Sequence, residues 1–227
     1  MKLPISLTLW SGNVCNLNCP NCPVGIGQQP PAGFMIAETA DDILRKIESQ
    51  RHVKILNVCL WGWNEPFLNK ELPELVRTVH SYGLDAFISS NLNVWANVEQ
   101  TLSETPELIT ISVSGFTRPI YDVDHPGGDI ERVKRNMVRL ANCKSPFTAV
   151  RVVYHQYLYN QHEEEPMRRL ATSLGFDFQA YEATILPVSR LIREWSDPNN
   201  NGTGRHITSK SLSPKWAFSG LSPSAWS

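Results

Sequence analysis

Short runs of apolar or β-branched residues alternate along this chain with stretches whose apolar positions recur at helical spacing. The runs at 5–10, 53–60, 85–89, 108–113, 148–155 and 177–182 are bounded by polar turns, the pattern of strands buried in a parallel sheet. Between them, Ile43, Leu44 and Ile47 mark one face of a first helix, for which Thr39-Ala40-Asp41-Asp42 reads as a capped start. Leu72, Leu75, Val76 and Val79 define a second helix, with Gly83 placed to end it. A short third lies around Val98 and Leu102, and a fourth carries Ile130, Val133, Met137 and Leu140. A fifth carries Met167, Leu170, Ala171 and Leu174, with Gly175 as its stop.

Six βα repeats in order predict a parallel sheet with right-handed crossovers. Six strands do not fill a closed eight-stranded barrel. The expected fold is therefore α/β, an open (β/α)6 partial TIM barrel, with its chemistry at the C-terminal strand ends. The pattern stops near Asp197, where Asp197-Pro198-Asn199-Asn200-Asn201-Gly202 is a turn-rich break. The expected organisation is a core domain over residues 1–196. A poorly ordered tail, or the remnant of a truncated C-terminal region, follows over 197–227.

Composition narrows the class of partner. Hydrophobic residues make up 41% of the 227 positions, enough for a normal core, and the net charge of −1 gives no electrostatic reason to expect a nucleic acid or an acidic membrane. No run of about 18 apolar residues occurs. The opening Met1-Lys2-Leu3-Pro4-Ile5-Ser6-Leu7-Thr8 is broken by Pro4, Ser6 and Thr8, and reads as a buried strand rather than a signal peptide. Five cysteines is an odd number, and three fall between positions 15 and 22, which favours a cytoplasmic metal site over a disulfide framework.

Cys15-Asn16-Leu17-Asn18-Cys19-Pro20-Asn21-Cys22 follows the first strand. A CxxxCxxC triplet in one loop suits three corners of an iron–sulfur cluster, which thiolates normally hold, and leaves one iron open to another ligand. The competing assignment is zinc, completed by a histidine, Cys59 or Cys143. The triplet, its place after strand one and the six βα units together resemble the radical S-adenosylmethionine (radical SAM) superfamily over roughly residues 4–187. The wording of the motifs is similar to the branch whose members often carry a C-terminal auxiliary-cluster (SPASM) domain. This chain has no cysteine after Cys143 to build that appendage.

The resemblance implies a [4Fe–4S] cluster on Cys15, Cys19 and Cys22, with the open iron chelated by S-adenosylmethionine. One electron, from a donor such as flavodoxin or ferredoxin, then cleaves the sulfonium to give a 5′-deoxyadenosyl radical that abstracts hydrogen from substrate. It also implies that Trp61-Gly62-Trp63-Asn64-Glu65-Pro66 stands for the family's glycine-rich segment. Gly62, Trp63 and Asn64 would form the backbone edge, and Glu65 would receive the methionine ammonium. Asn64 replaces a glycine there, as the residue that best tolerates left-handed backbone. Asn91 and Ser112, at the ends of strands three and four, match places of polar contact to ribose and methionine carboxylate, and Ser114 replaces the aspartate of the family pattern. Asn21 stands where an aromatic residue often packs near the adenine.

Arg151 is a charged residue within an apolar strand, expected either to grip the methionine carboxylate or to pair with a barrel acid such as Glu182. Tyr181, Glu182 and Thr184 end the last strand, facing the mouth or the helix layer according to register. Cys59 and Cys143 read as small core or surface residues. The substrate class stays open between peptide, protein, sugar and small molecule. The alternative function is a non-catalytic barrel remnant that keeps an iron–sulfur or zinc site.

Overall fold

A computed structural model describes residues 2–28 and 31–183 of the chain. Each apolar run becomes a strand, and each amphipathic stretch crosses back along the same side of the sheet. The order is β1 (Leu3–Thr8), α1 (Ala37–Glu48), β2 (Val53–Cys59), α2 (Leu72–Ser81), β3 (Asp85–Ser90) and α3 (Val98–Ser103). It continues through β4 (Leu108–Val113), α4 (Arg118–Asp124), α5 (Ile130–Cys143), β5 (Ala149–Gln156), α6 (Glu164–Ser173) and β6 (Asp177–Glu182). The six strands are parallel and lie in sequence order, with β1 and β6 as the two edges. Nothing among the described residues joins those edges, so the sheet curls into a half-barrel, the expected partial TIM barrel.

The sheet's two faces carry different residues. On the convex side Val58, Ala86, Ile88, Ile109, Ile111, Val113, Val150, Val152 and Tyr154 are buried against Leu44, Leu75, Val79, Val133, Met137, Leu140 and Met167 of the helices. The alternate positions Ser89, Thr110, Ser112, Arg151, Val153 and His155 are half-buried and face the concave side. One irregularity interrupts this alternation. Ile5 pairs with Ile55, but Ser6 pairs with Asn57, so Leu56 is an extra residue in β2. Ile55 packs on the core before it, and Val58 and Leu60 do so after it.

Two local expectations change. Thr39 does not cap α1, which begins at Ala37 after Ile36, with no side-chain cap of its own. Glu71 does that work from the start of α2, its Oε2 accepting from the Ala37 N–H at 2.9 Å. Helix α4 was not expected, because seven residues are too few to display an amphipathic period, although Pro119 in its first turn is a start signal. Gly83 and Gly175 adopt positive φ just beyond α2 and α6, as helix stops do. The expectations for Thr184 and for the 197–227 tail fall outside the described residues.

Candidate functional site

The C-terminal strand ends open into a cavity of about 480 Å³. One wall is the loop after β1, with Cys15, Leu17, Cys19, Asn21 and Cys22. The opposite side is made by Ser89, Ser90, Asn91, Ser112, His155, Tyr157, Tyr181 and Glu182. The three cysteines are free thiols, only partly buried. Burial is the main cause that raises the Cys15 thiol, to about 11, with Glu65 and Cys22 adding to it. Burial, then Asp124, Cys15 and Cys22, push Cys19 further still. Cys22 bears on both of the others and Cys15 on Cys19, the electrostatics of sulfurs gathered around one space. A bound metal group reverses that ordering, since its positive charge favours the thiolate.

The cysteine loop is held from across the molecule. Asn91 Nδ2 donates to Asn16 Oδ1 at 3.0 Å and approaches Cys15 Sγ at 3.7 Å. Asn21 Nδ2 donates to Asp124 Oδ1 and to the Tyr157 hydroxyl, both at 3.1 Å. Asn21 is thus a structural tie, taking up in hydrogen bonds a position where an aromatic ring was looked for. Asn160 closes the far side, donating from Nδ2 to the carbonyls of Ser114 and His155 and accepting from the Tyr157 N–H.

The segment after β2 contributes Trp61, Gly62, Trp63 and Asn64 to the cavity wall. Gly62 is required by a close approach: a Cβ there would lie 2.4 Å from the Trp10 ring. Asn64 is not left-handed. Its side chain organises the turn instead, with Oδ1 accepting from Gly62 N–H and Nδ2 donating to Ser11 Oγ, both at 2.8 Å.

Glu65 departs from expectation. Its carboxylate lies fully buried behind the wall, outside the cavity lining. It accepts from Phe67 N–H at 3.1 Å and from Asn91 N–H and Ser90 Oγ at 2.8 Å. The Ser90 hydroxyl must donate to it, because Leu92 N–H already donates to that hydroxyl. Burial pushes the carboxyl up to about 7 against the pull of these donors. Glu65 ties the ends of β2 and β3 together, and its backbone N–H reaches Val14 in the cysteine loop.

Arg151 takes the second of its two readings, a pair with a strand acid. It lies near the N-terminal end of β5, four residues before His155, and does not line the cavity. Its partner is Asp177 at 3.4 Å, the neighbour fixed by register, rather than Glu182. A strand rises about 3.3 Å per residue, so the guanidinium is rooted some 13 Å below the mouth. Ser112 lines the cavity, whereas Ser114 is buried and donates to Asp124 Oδ2 at 3.0 Å. Tyr181 and Glu182 are exposed and line the mouth. Cys59 is buried beside Ser6, and Cys143 is exposed at the end of α5.

Asp124, His125, His155 and Tyr157 were not singled out from sequence. His155 had a usable signal, being a polar residue on the inward phase at the C-terminal end of a predicted strand. Asp124 and His125 had none, since α4 itself was not legible.

No curated protein sequence matches the chain. Among solved structures it is similar to Streptococcus suis SuiB bound to S-adenosylmethionine, with a TM-score of 0.66 at 13% identity over 86% of this chain and 48% of that one. Methylornithine synthase (PylB) gives a TM-score of 0.59 at 10% identity, covering 80% of this chain and 55% of its own. HydG, a maturase of the [FeFe]-hydrogenase, gives 0.58 at 14% identity, covering 83% and 45%. The chain therefore spans about half the length of these structures, and at such identities the likeness speaks for the fold. A family model described as the Radical SAM superfamily matches residues 11–168, well over half of the sequence and the whole run from the cysteine loop into α6. The chain belongs to the radical SAM superfamily.

Proposed function

We propose that this chain is a radical SAM enzyme that holds a [4Fe–4S] cluster on Cys15, Cys19 and Cys22. The observation that carries this reading is the gathering of those three free thiols on one wall of the cavity at the strand ends. The CxxxCxxC spacing in one loop suits three corners of such a cluster. When bound, the cluster and S-adenosylmethionine supply one-electron cleavage of the sulfonium, giving a 5′-deoxyadenosyl radical that takes hydrogen from substrate.

The chain's own work is to bind, orient and shield. The Trp61–Asn64 backbone edge, Asn91 and Ser112 are the cofactor contacts in this reading, and Glu65 positions Asn91 from behind rather than touching the ligand. The electron donor in this reading is a small electron-carrier protein such as flavodoxin or ferredoxin.

Anaerobic reconstitution followed by reduction with dithionite tests the proposal. The expected result is close to four iron and four sulfide per chain, with 5′-deoxyadenosine released when S-adenosylmethionine is added. One tightly bound zinc without sulfide would overturn it. A loaded cluster that releases no 5′-deoxyadenosine would leave the non-catalytic alternative.

A further inference from the structure

The dipeptide Asp124-His125 ends α4 and lies along the cysteine loop. Pro126 O accepts from Asn18 N–H at 3.0 Å, and a Cβ built on Gly127 would lie 3.6 Å from Asn16 O, so the backbone runs close against the loop. His125 is 5% exposed. Its ring stands edge-on to Tyr121, with centroids 4.6 Å apart and planes at 86°, which fixes its orientation. Nδ1 sits 3.8 Å from Cys19 Sγ and 3.7 Å from Asp124 Oδ2. Both neighbours accept, so a ring hydrogen belongs on Nδ1. Asp124 is itself held by Ser114 and Asn21 and cannot turn away.

We infer that His125 is a positioning residue for the cluster, donating its Nδ1–H to the Cys19 thiolate and raising the cluster's reduction potential. The inference rests on the proposed assignment of Cys15, Cys19 and Cys22 as ligands. A hydrogen bond to a ligating sulfur withdraws charge from the cluster and favours the reduced state, whose negative charge is larger. Asn91 makes the equivalent approach to Cys15, so two of the three sulfurs carry side-chain donors.

The test uses the full-length reconstituted protein. Redox titration followed by EPR is expected to give a more negative midpoint potential for His125→Phe than for the parent. A tenfold change in the reduction equilibrium corresponds to about 59 mV for one electron. His125→Asn, whose amide nitrogen falls near the position of Nδ1, should restore much of the shift. Pulsed EPR on the parent with 15N-labelled histidine needs no variant and should detect a weak nitrogen coupling to the reduced cluster. A loaded cluster with no histidine coupling, or with the same potential in His125→Phe, overturns the inference and leaves the ligand assignment standing. Equal shifts in His125→Phe and His125→Asn would show a packing effect and also overturn it. Absence of iron and sulfide from the parent would remove the ligand assignment and this inference together.

Discussion

The two faces of this sheet are built from alternate residues of the same six strands, yet they obey different rules. On the convex face Ile109, Ile111 and Val113 are sealed under helices, and their side chains do nothing but exclude water. On the concave face Thr110 and Ser112, one residue away in each case, stay half-buried and polar. Stability is drawn from the first face and chemistry from the second. A period of two lets one strand serve both without compromise.

The sharpest break between the two roles is at the cysteines. Replacing Cys15, Cys19 or Cys22 by Ala is expected to abolish iron and sulfide loading, whereas Cys59→Ala and Cys143→Ala retain it. Metal and sulfide analysis after anaerobic reconstitution reads the difference. Glu65→Ala comes next, because it leaves the Phe67 and Asn91 N–H groups buried without their acceptor. Each orphaned group costs about 1–3 kcal/mol, so urea denaturation should show a loss of several kcal/mol, and Asn91 should lose its place.

Adjacent residues on β4 test the face rule directly. Ile111→Ala should destabilise by about 2–5 kcal/mol through lost burial and an unfilled cavity, while Ser112→Ala should stay within about 0.5 kcal/mol in the same measurement. If the two costs are alike, the division of labour between faces is wrong.

His155 makes the concave face sensitive to pH. Burial, then the neighbouring His125, lower its pKa from 6.5 to about 4, so the folded state binds fewer protons than the unfolded one. That contribution to stability is complete above pH 6.5 and is lost as the pH falls toward 4. His155→Phe should flatten thermal stability across this window while leaving the profile above it unchanged. The smallest effect belongs to Arg151→Ala. Its pair with Asp177 is partly exposed, and removing it should cost no more than about 1 kcal/mol and leave S-adenosylmethionine binding intact.

The strands and the cysteine loop were legible because both are local signals: apolar runs of five to eight residues bounded by polar turns, and three thiols within one loop. Helix α4 was not, and with it went Asp124 and His125, whose meaning comes from contacts more than 100 positions away. Arg151 and Glu65 show a second limit. Residue type marked both as functional. Depth along β5 decides the case of Arg151, and the direction of a buried carboxylate decides that of Glu65, and neither quantity is written in a single segment. Thr39 failed for a related reason, since Glu71 supplies the cap from a different helix.

The extra residue Leu56 has a consequence for how this chain tolerates change in length. Ile55, an odd position, packs on the core before it, and the even positions Val58 and Leu60 do so after it. Leu56 is thus a phase shift of one step. Substituting it by another apolar residue preserves the count and should be mild. Deleting it would leave Ile55, Val58 and Leu60 on alternate positions of an unbroken ladder, still on the core face and paired one to one with β1. The Trp61–Asn64 edge would keep its place, because the pairs from Ser6–Asn57 to Thr8–Cys59 are unchanged. For this domain the place of a single-codon deletion decides its cost: at Leu56 it should be tolerated, whereas at the paired position Val58 it would put Cys59 on the core face and Leu60 on the concave one.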